Sequence, residues 1–167
     1  RIAHLLGDRK TASKLTMGTF HALGLQVLRS ERKALGYPGG FAVYDASDQL
    51  SVVRQAMKEL GIDDKLIPPR AALARISQAK NRMEGPETLR GKWNLRDEQI
   101  ARIYETYLTT LKDCNALDFD DLLLKTVELF QKAEQVRQRY ATKFRYIMVD
   151  EYQDTNRPQY LWVKALA

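Results

Sequence analysis

The chain has 167 residues, 44% of them hydrophobic and 29% charged, which fits a soluble globular protein with one sizeable core. No apolar run reaches the ~18 residues of a membrane-spanning helix, no basic-plus-apolar leader opens the chain, and the single cysteine, Cys114, rules out an internal disulfide and reads as a small core residue of a reducing compartment. The net charge of +6 is concentrated in two blocks, residues 1–33 and 70–96, each with seven Lys/Arg against two Asp/Glu, so a polyanionic partner and a solvated basic surface are the two readings to separate.

In chain order, residues 1–6 read as the last turns of a helix stopped by Gly7, and 8–14 as a basic loop. Leu15-Thr16-Met17-Gly18 is a short strand candidate. Thr19 stands where an N-cap belongs, with Phe20, Leu23, Val27 and Leu28 at helical spacing, so a helix is expected to about Leu35 with Gly36 ending it. Tyr37-Pro38-Gly39-Gly40 is a turn. Asp45 or Ser47 caps a helix with the stripe Leu50, Val53, Met57 and Leu60, and Gly61 ends it. Pro68-Pro69 opens another, with Leu73, Ile76, Ala79 and Met83 on one face and Gly85-Pro86 at its end. A loop or short helix holding Trp93 follows. Ile100, Ile103, Tyr104, Tyr107 and Leu111 then mark a helix from Arg96 to about Cys114.

Asp118 with Asp121 three residues on resembles a capping box for a helix running through Val127 and Phe130. A shorter helix is expected near Val136–Lys143, and Pro158 opens the last one. About seven helices and two short strands result. Two such strands cannot make a stable sheet alone, so the rest of a sheet is expected outside the chain, whose ends read as cuts through structure.

The second strand candidate, Tyr146 to Val149, carries the chemistry. It reads as a buried strand and runs into Asp150-Glu151-Tyr152-Gln153-Asp154-Thr155-Asn156. An acidic pair at the end of such a strand suits a nucleotide-hydrolysing site, in which one carboxylate meets Mg²⁺ and its neighbour takes a proton from the attacking water. An acidic loop after an ordinary strand is the plainer reading of the pair alone.

Three stretches together resemble the superfamily 1 DNA helicases of the Rep, UvrD and PcrA type. They are Thr16-Met17-Gly18-Thr19-Phe20-His21, Leu117-Asp118-Phe119-Asp120-Asp121-Leu122-Leu123, and Val149 through Asn156. Tyr44-Asp45-Ala46-Ser47-Asp48-Gln49-Leu50 and Ala79-Lys80-Asn81 extend the resemblance over essentially the whole chain. Leu-Gly-Leu after His21 and Lys-Asp-Cys-Asn before Ala116 look closest to Rep.

The resemblance implies a mostly α fragment: a helical inserted subdomain, about 35–115, between truncated flanks, 1–34 and 116–167, of a RecA-like α/β motor domain of the P-loop NTPase kind. It implies that Asp150 positions the Mg²⁺ of ATP and that Glu151 is the general base. Gln153 and Asp154 would tie the nucleotide site to neighbouring motifs. Thr19 and His21 would touch single-stranded DNA, where a hydroxyl, a helix N-terminus and an imidazole all suit phosphate. Lys80, Arg82 and Lys92 of the second basic block become candidate phosphate contacts with duplex DNA ahead of the motor. Plainer readings stand beside these: a packing histidine for His21, a solvated face for each basic residue, helix capping for Asp118, Asp120 and Asp121, and, for Trp93, a core or hinge role against stacking on a base.

No Gly-x-x-x-x-Gly-Lys-Ser/Thr loop occurs in the chain. The expectation is therefore a piece of an ATP-dependent 3′ to 5′ DNA helicase of replication or repair. That protein would use Mg²⁺ and ATP, bind single-stranded and duplex DNA at a junction, work with the remaining helicase domains, and lie in the bacterial cytoplasm at the nucleoid, away from membranes. The piece alone is expected to be inactive and not to bind the nucleotide. The alternative is a stand-alone helical module that binds nucleic acid or protein.

Overall fold

Side chains placed just ahead of each apolar stripe start most of the helices, because the first turn of a helix leaves its N–H groups without partners. The computed structural model describes residues 15–90 and 95–167, so the expected helix over 1–6, the Gly7 stop, the 8–14 loop, Lys92 and Trp93 lie outside the described residues. Thr19 caps α1 (Phe20–Ser30), its Oγ1 accepting from the Ala22 N–H at 3.2 Å. Asp45 caps α2 (Ala46–Glu59) through a reciprocal box with Asp48. Pro69 opens α3 (Pro69–Asn81), and α4 (Leu95–Asp113) is the long apolar-striped helix. Asp118 and Asp121 form the expected box at the start of α5 (Phe119–Lys132). After α6 (Glu134–Lys143), Asn156 and Gln159 form a third box for α7 (Arg157–Leu166), with Pro158 in its first turn.

Among the described residues the protein is mostly α, as expected, with seven α-helices, two 3₁₀ turns and two strands of two residues each. The strands are not the predicted ones. Leu15–Gly18 has no strand pairing, and Leu15 and Met17 are 47% and 55% exposed. Tyr146–Val149 is not a buried strand either: Tyr146 is 90% and Met148 97% exposed. Apolar β-formers become a strand only when a neighbouring ladder takes their N–H and C=O groups, and neither run has one among the described residues.

The observed strands are β1 (Ala42–Val43) and β2 (Ala116–Leu117), paired in parallel with Ala42 opposite Ala116 and Val43 opposite Leu117. Ala42 N–H donates to Asn115 O at 3.0 Å and Tyr44 N–H to Leu117 O at 2.9 Å. The pair pins the start of the middle segment to its end, so the middle is not all helix. Two further expectations shift. The helix α1 stops at Ser30 rather than near Leu35, giving way to tight turns that end at Gly36 with φ +83°. Cys114 sits exposed in the turn after α4 and is not a core residue.

The apolar faces close on two main cores. One gathers Val53, Met57, Ile76, Ile103, Tyr107 and Leu111 from α2, α3 and α4. The other gathers Val27, Leu123, Val127, Phe130, Trp162 and Leu166 from α1, α5 and α7. The helix α5 packs against α1 and α7 in the second core and against α3 from the first, so its N-terminus lies where the two meet.

Candidate functional site

Two of the three stretches meet at the start of α5, and the third is tied to it by hydrogen bonds. From α1, His21 lies against Phe119, ring centroids 4.2 Å apart and planes at 24°. Burial holds the imidazole below its ordinary pKa, with Asp120 opposing, so the ring is neutral at physiological pH. It can stack and offer one N–H, but it brings no full charge to a phosphate. Phe119 is 54% exposed, an apolar ring left facing solvent beside it. Thr19 caps the same helix, so its hydroxyl already accepts one bond from Ala22.

From α3, Lys80 reaches the same point. It is 1% exposed, with Nζ donating to Asp118 Oδ2 at 2.6 Å and to Asp121 Oδ1 at 2.8 Å. Tyr107 of α4 donates its hydroxyl to Asp118 Oδ2 at 2.8 Å, and its ring centroid lies 5.3 Å from Nζ. Desolvation works against the ammonium, but the two carboxylates outweigh it and the lysine titrates above its ordinary range. Burial pushes the Asp121 carboxyl up against the pull of Lys80, and Asp118 adds to the rise, as expected when two acids share one cation. Lys80 is therefore not a phosphate contact in this fold: its charge is consumed inside the protein. Arg82, at the C-cap of α3, is exposed and remains placed for one.

The aspartates have structural work. Asp118 and Asp121 cap α5 and hold Lys80, while Asp120 Oδ1 accepts from Asn81 Nδ2 at 3.0 Å. Asn81 Oδ1 in turn accepts from Asn156 Nδ2 at 2.5 Å, and Asn156 is the last residue of the acidic string.

The acidic string itself lies on an exposed turn. Glu151 takes the left-handed conformation, φ 48° and ψ 43°, which costs a non-glycine residue on the order of 1 kcal/mol and is shared here by Met83 and Asn115. Its N–H donates to Asp150 Oδ1 at 3.1 Å. Gln153 Nε2 donates to Glu151 Oε2, so Gln153 holds the carboxylate beside it. Asp154 N–H closes back on Glu151 O at 2.9 Å, making a 3₁₀ turn over Tyr152–Asp154. A cleft of about 480 Å³ opens between α3, α4 and α5, but the acidic string is not part of its lining.

Comparison with known proteins decides the family. The UvrD/REP helicase N-terminal domain family matches residues 1–167. A protein named ATP-dependent DNA helicase PcrA from Staphylococcus epidermidis is 38% identical over the whole chain, as is one of the same name from Staphylococcus aureus strain Mu50. The chain belongs to the UvrD/REP helicase family. It spans 23% of the length of these curated relatives.

In this UvrD/REP chain the structure joins two of the three diagnostic stretches directly, through His21 and Phe119. The third is reached through Asn81. Sequence reasoning named Lys80 as a phosphate contact and Asn81 only as part of the resemblance, and did not see Asn81, Phe119 or Tyr107 as members of the site. Phe119 carried one legible signal, an aromatic at the first position of a capped helix, where burial is not needed.

Proposed function

We propose that this chain is part of the first motor region of an ATP-dependent DNA helicase that moves 3′ to 5′ along single-stranded DNA in replication or repair. The observation that carries this reading is the exposed left-handed turn at Asp150-Glu151, tied through Asn156 and Asn81 to the helix ends that hold His21, Phe119 and Arg82. The relatives' names, each stating an ATP-dependent DNA helicase, support it. The two cores support a division into a helical insert at about 35–115 and flanks of a RecA-like motor domain at 1–34 and 116–167.

Among the described residues no three His, Cys, Asp or Glu side chains stand close enough to cage a metal. One or two exposed carboxylates are the donor set Mg²⁺ uses when nucleotide phosphates complete its shell, and Asp150, exposed and with Oδ2 outside the bond to the Glu151 N–H, fits that role. Bound in this way, the ion would offset phosphate charge. Glu151 is the general base: Gln153 engages one carboxylate oxygen, and the other can accept the proton of a water attacking the terminal phosphate. Gln153 and Asp154 fix that carboxylate through the closed turn. Thr19, His21 and Phe119 face the single strand by hydrogen bonding and stacking. Arg82 and Lys92 meet duplex phosphates, and the remaining helicase domains complete the site.

The chain has no phosphate-cradling loop of its own, so the isolated 167 residues are expected to leave ATP intact, while the full-length protein hydrolyses it faster with single-stranded DNA. Phosphate release measured for both, with and without DNA, tests this. Turnover by the isolated chain, or a full-length protein indifferent to DNA and ATP, would favour a stand-alone binding module instead.

A further inference from the structure

A chain of three hydrogen bonds links α5, α3 and α7, and its chemistry allows only one direction. Asp120 Oδ1 accepts from Asn81 Nδ2 at 3.0 Å, Asn81 Oδ1 accepts from Asn156 Nδ2 at 2.5 Å, and Asn156 Oδ1 accepts from the Gln159 N–H at 3.0 Å. An ionised carboxylate can only accept and a backbone N–H can only donate. With both ends fixed, the two side-chain amides between them have a single satisfying orientation. The Ser77 carbonyl reinforces it, accepting from Asn81 Nδ2 at 2.9 Å.

Both ends of this relay are stiff. Asn81 is the last residue of α3, next to Lys80, whose buried pairing with Asp118 and Asp121 locks the helix end to α5. Asn156 caps α7, and the segment back to Glu151 is a closed turn, with Thr155 Oγ1 donating to Tyr152 O at 2.8 Å and Asp154 N–H to Glu151 O at 2.9 Å. A displacement at Asn156 therefore reaches Glu151 instead of being absorbed by slack chain. On its other side Asn81 is followed at once by the exposed Arg82.

We propose that Asn81 is a positioning residue for ATP hydrolysis: through Asn156 it sets the placement of Glu151, and it couples DNA held at the end of α3 to turnover. This rests on the helicase reading given above. Neither Asn81 nor Asn156 touches the reacting atoms, so the expected effect lies in turnover and not in binding.

The test uses the full-length protein and four variants: Asn81→Asp, Asn81→Ala, Asp120→Asn, and the exchange Asn81→Asp with Asp120→Asn. Asn81→Asp sets two carboxylates against each other. Asn81→Ala adds no charge and guards against a variant that does not fold, with thermal melting as the check. The exchange restores a donor facing an acceptor and leaves an acceptor for Asn156, losing only the local bond to the Ser77 carbonyl. Each Asn81 single variant should lose about tenfold in kcat for ATP with a saturating single-strand/duplex junction, while KM for ATP and Kd for that DNA stay within about twofold. The exchange should recover most of the loss, which a merely structural defect would not. An unchanged kcat in both Asn81 variants, or a loss that the exchange does not repair, overturns the proposal. A wild-type protein without DNA-stimulated turnover overturns the helicase reading and this inference with it, whereas normal wild-type stimulation with unaffected variants overturns the coupling alone.

Discussion

Lys80 and Arg82 stand two positions apart in one basic block, and the fold buries the first and exposes the second. Nothing in the local sequence separates them, because the partners that claim Lys80 are 38 and 41 residues away. Removing that ammonium strands two buried carboxylates, so Lys80→Ala is expected to cost about 3–5 kcal/mol in urea unfolding. A cost below ~1 kcal/mol would mean that the pair is hydrated and loose. Arg82→Ala should leave stability nearly unchanged and lower the slope of log affinity for DNA against log salt by about one in the full-length protein. If Lys80→Met changed that slope and Arg82→Ala did not, the assignment of the two residues would be reversed.

At the scale of elements, the parts legible in the sequence were those set by near neighbours. Thr19, Asp45 and Asp118 cap helices because a short polar side chain meets N–H groups two or three residues on. The strands were not legible, since Tyr146–Val149 has the composition of a strand and its pairing depends on a neighbour that composition does not reveal. Helix contacts were equally hidden. A Cβ added at Gly24 of α1 would lie 2.9 Å from the Leu122 carbonyl of α5 and 3.3 Å from both the Thr126 hydroxyl and the Trp162 ring. Alanine gains up to ~1 kcal/mol in helix propensity, but a backbone oxygen cannot move aside cheaply. Gly24→Ala is therefore expected to destabilise by about 1–2 kcal/mol net. A more stable variant, measured by the same unfolding curve, would show that α1 and α5 can separate without loss.

Across the whole molecule, the point where the two cores meet is an ionisable node, and its pH dependence has one sign. Lys80 titrates above its ordinary value, its two carboxylates overcoming desolvation. Tyr107 and Tyr104 are pushed up by burial, with Asp118 and Asp121 adding to the rise. In each case the folded state keeps a proton that the unfolded chain releases, so the stabilisation is complete below the unfolded values of about 10 and is lost progressively as pH rises from there through the raised folded values. Urea midpoints should fall between pH 8 and pH 10.5, and fall less in Tyr107→Phe. Equal midpoints at both pH values would contradict a buried node. The family was legible from the acidic string and its companions, whereas the relay through Asn81 spans 75 residues and only the fold brings it together.

The central claim is that Glu151, aimed by its left-handed turn, is the base of an ATP-driven motor. The most direct measurement is DNA-stimulated ATP turnover by the full-length protein carrying Glu151→Gln, with nucleotide binding followed in parallel. The account predicts retained ATP binding and turnover reduced at least a hundredfold. Turnover at the wild-type rate would contradict it.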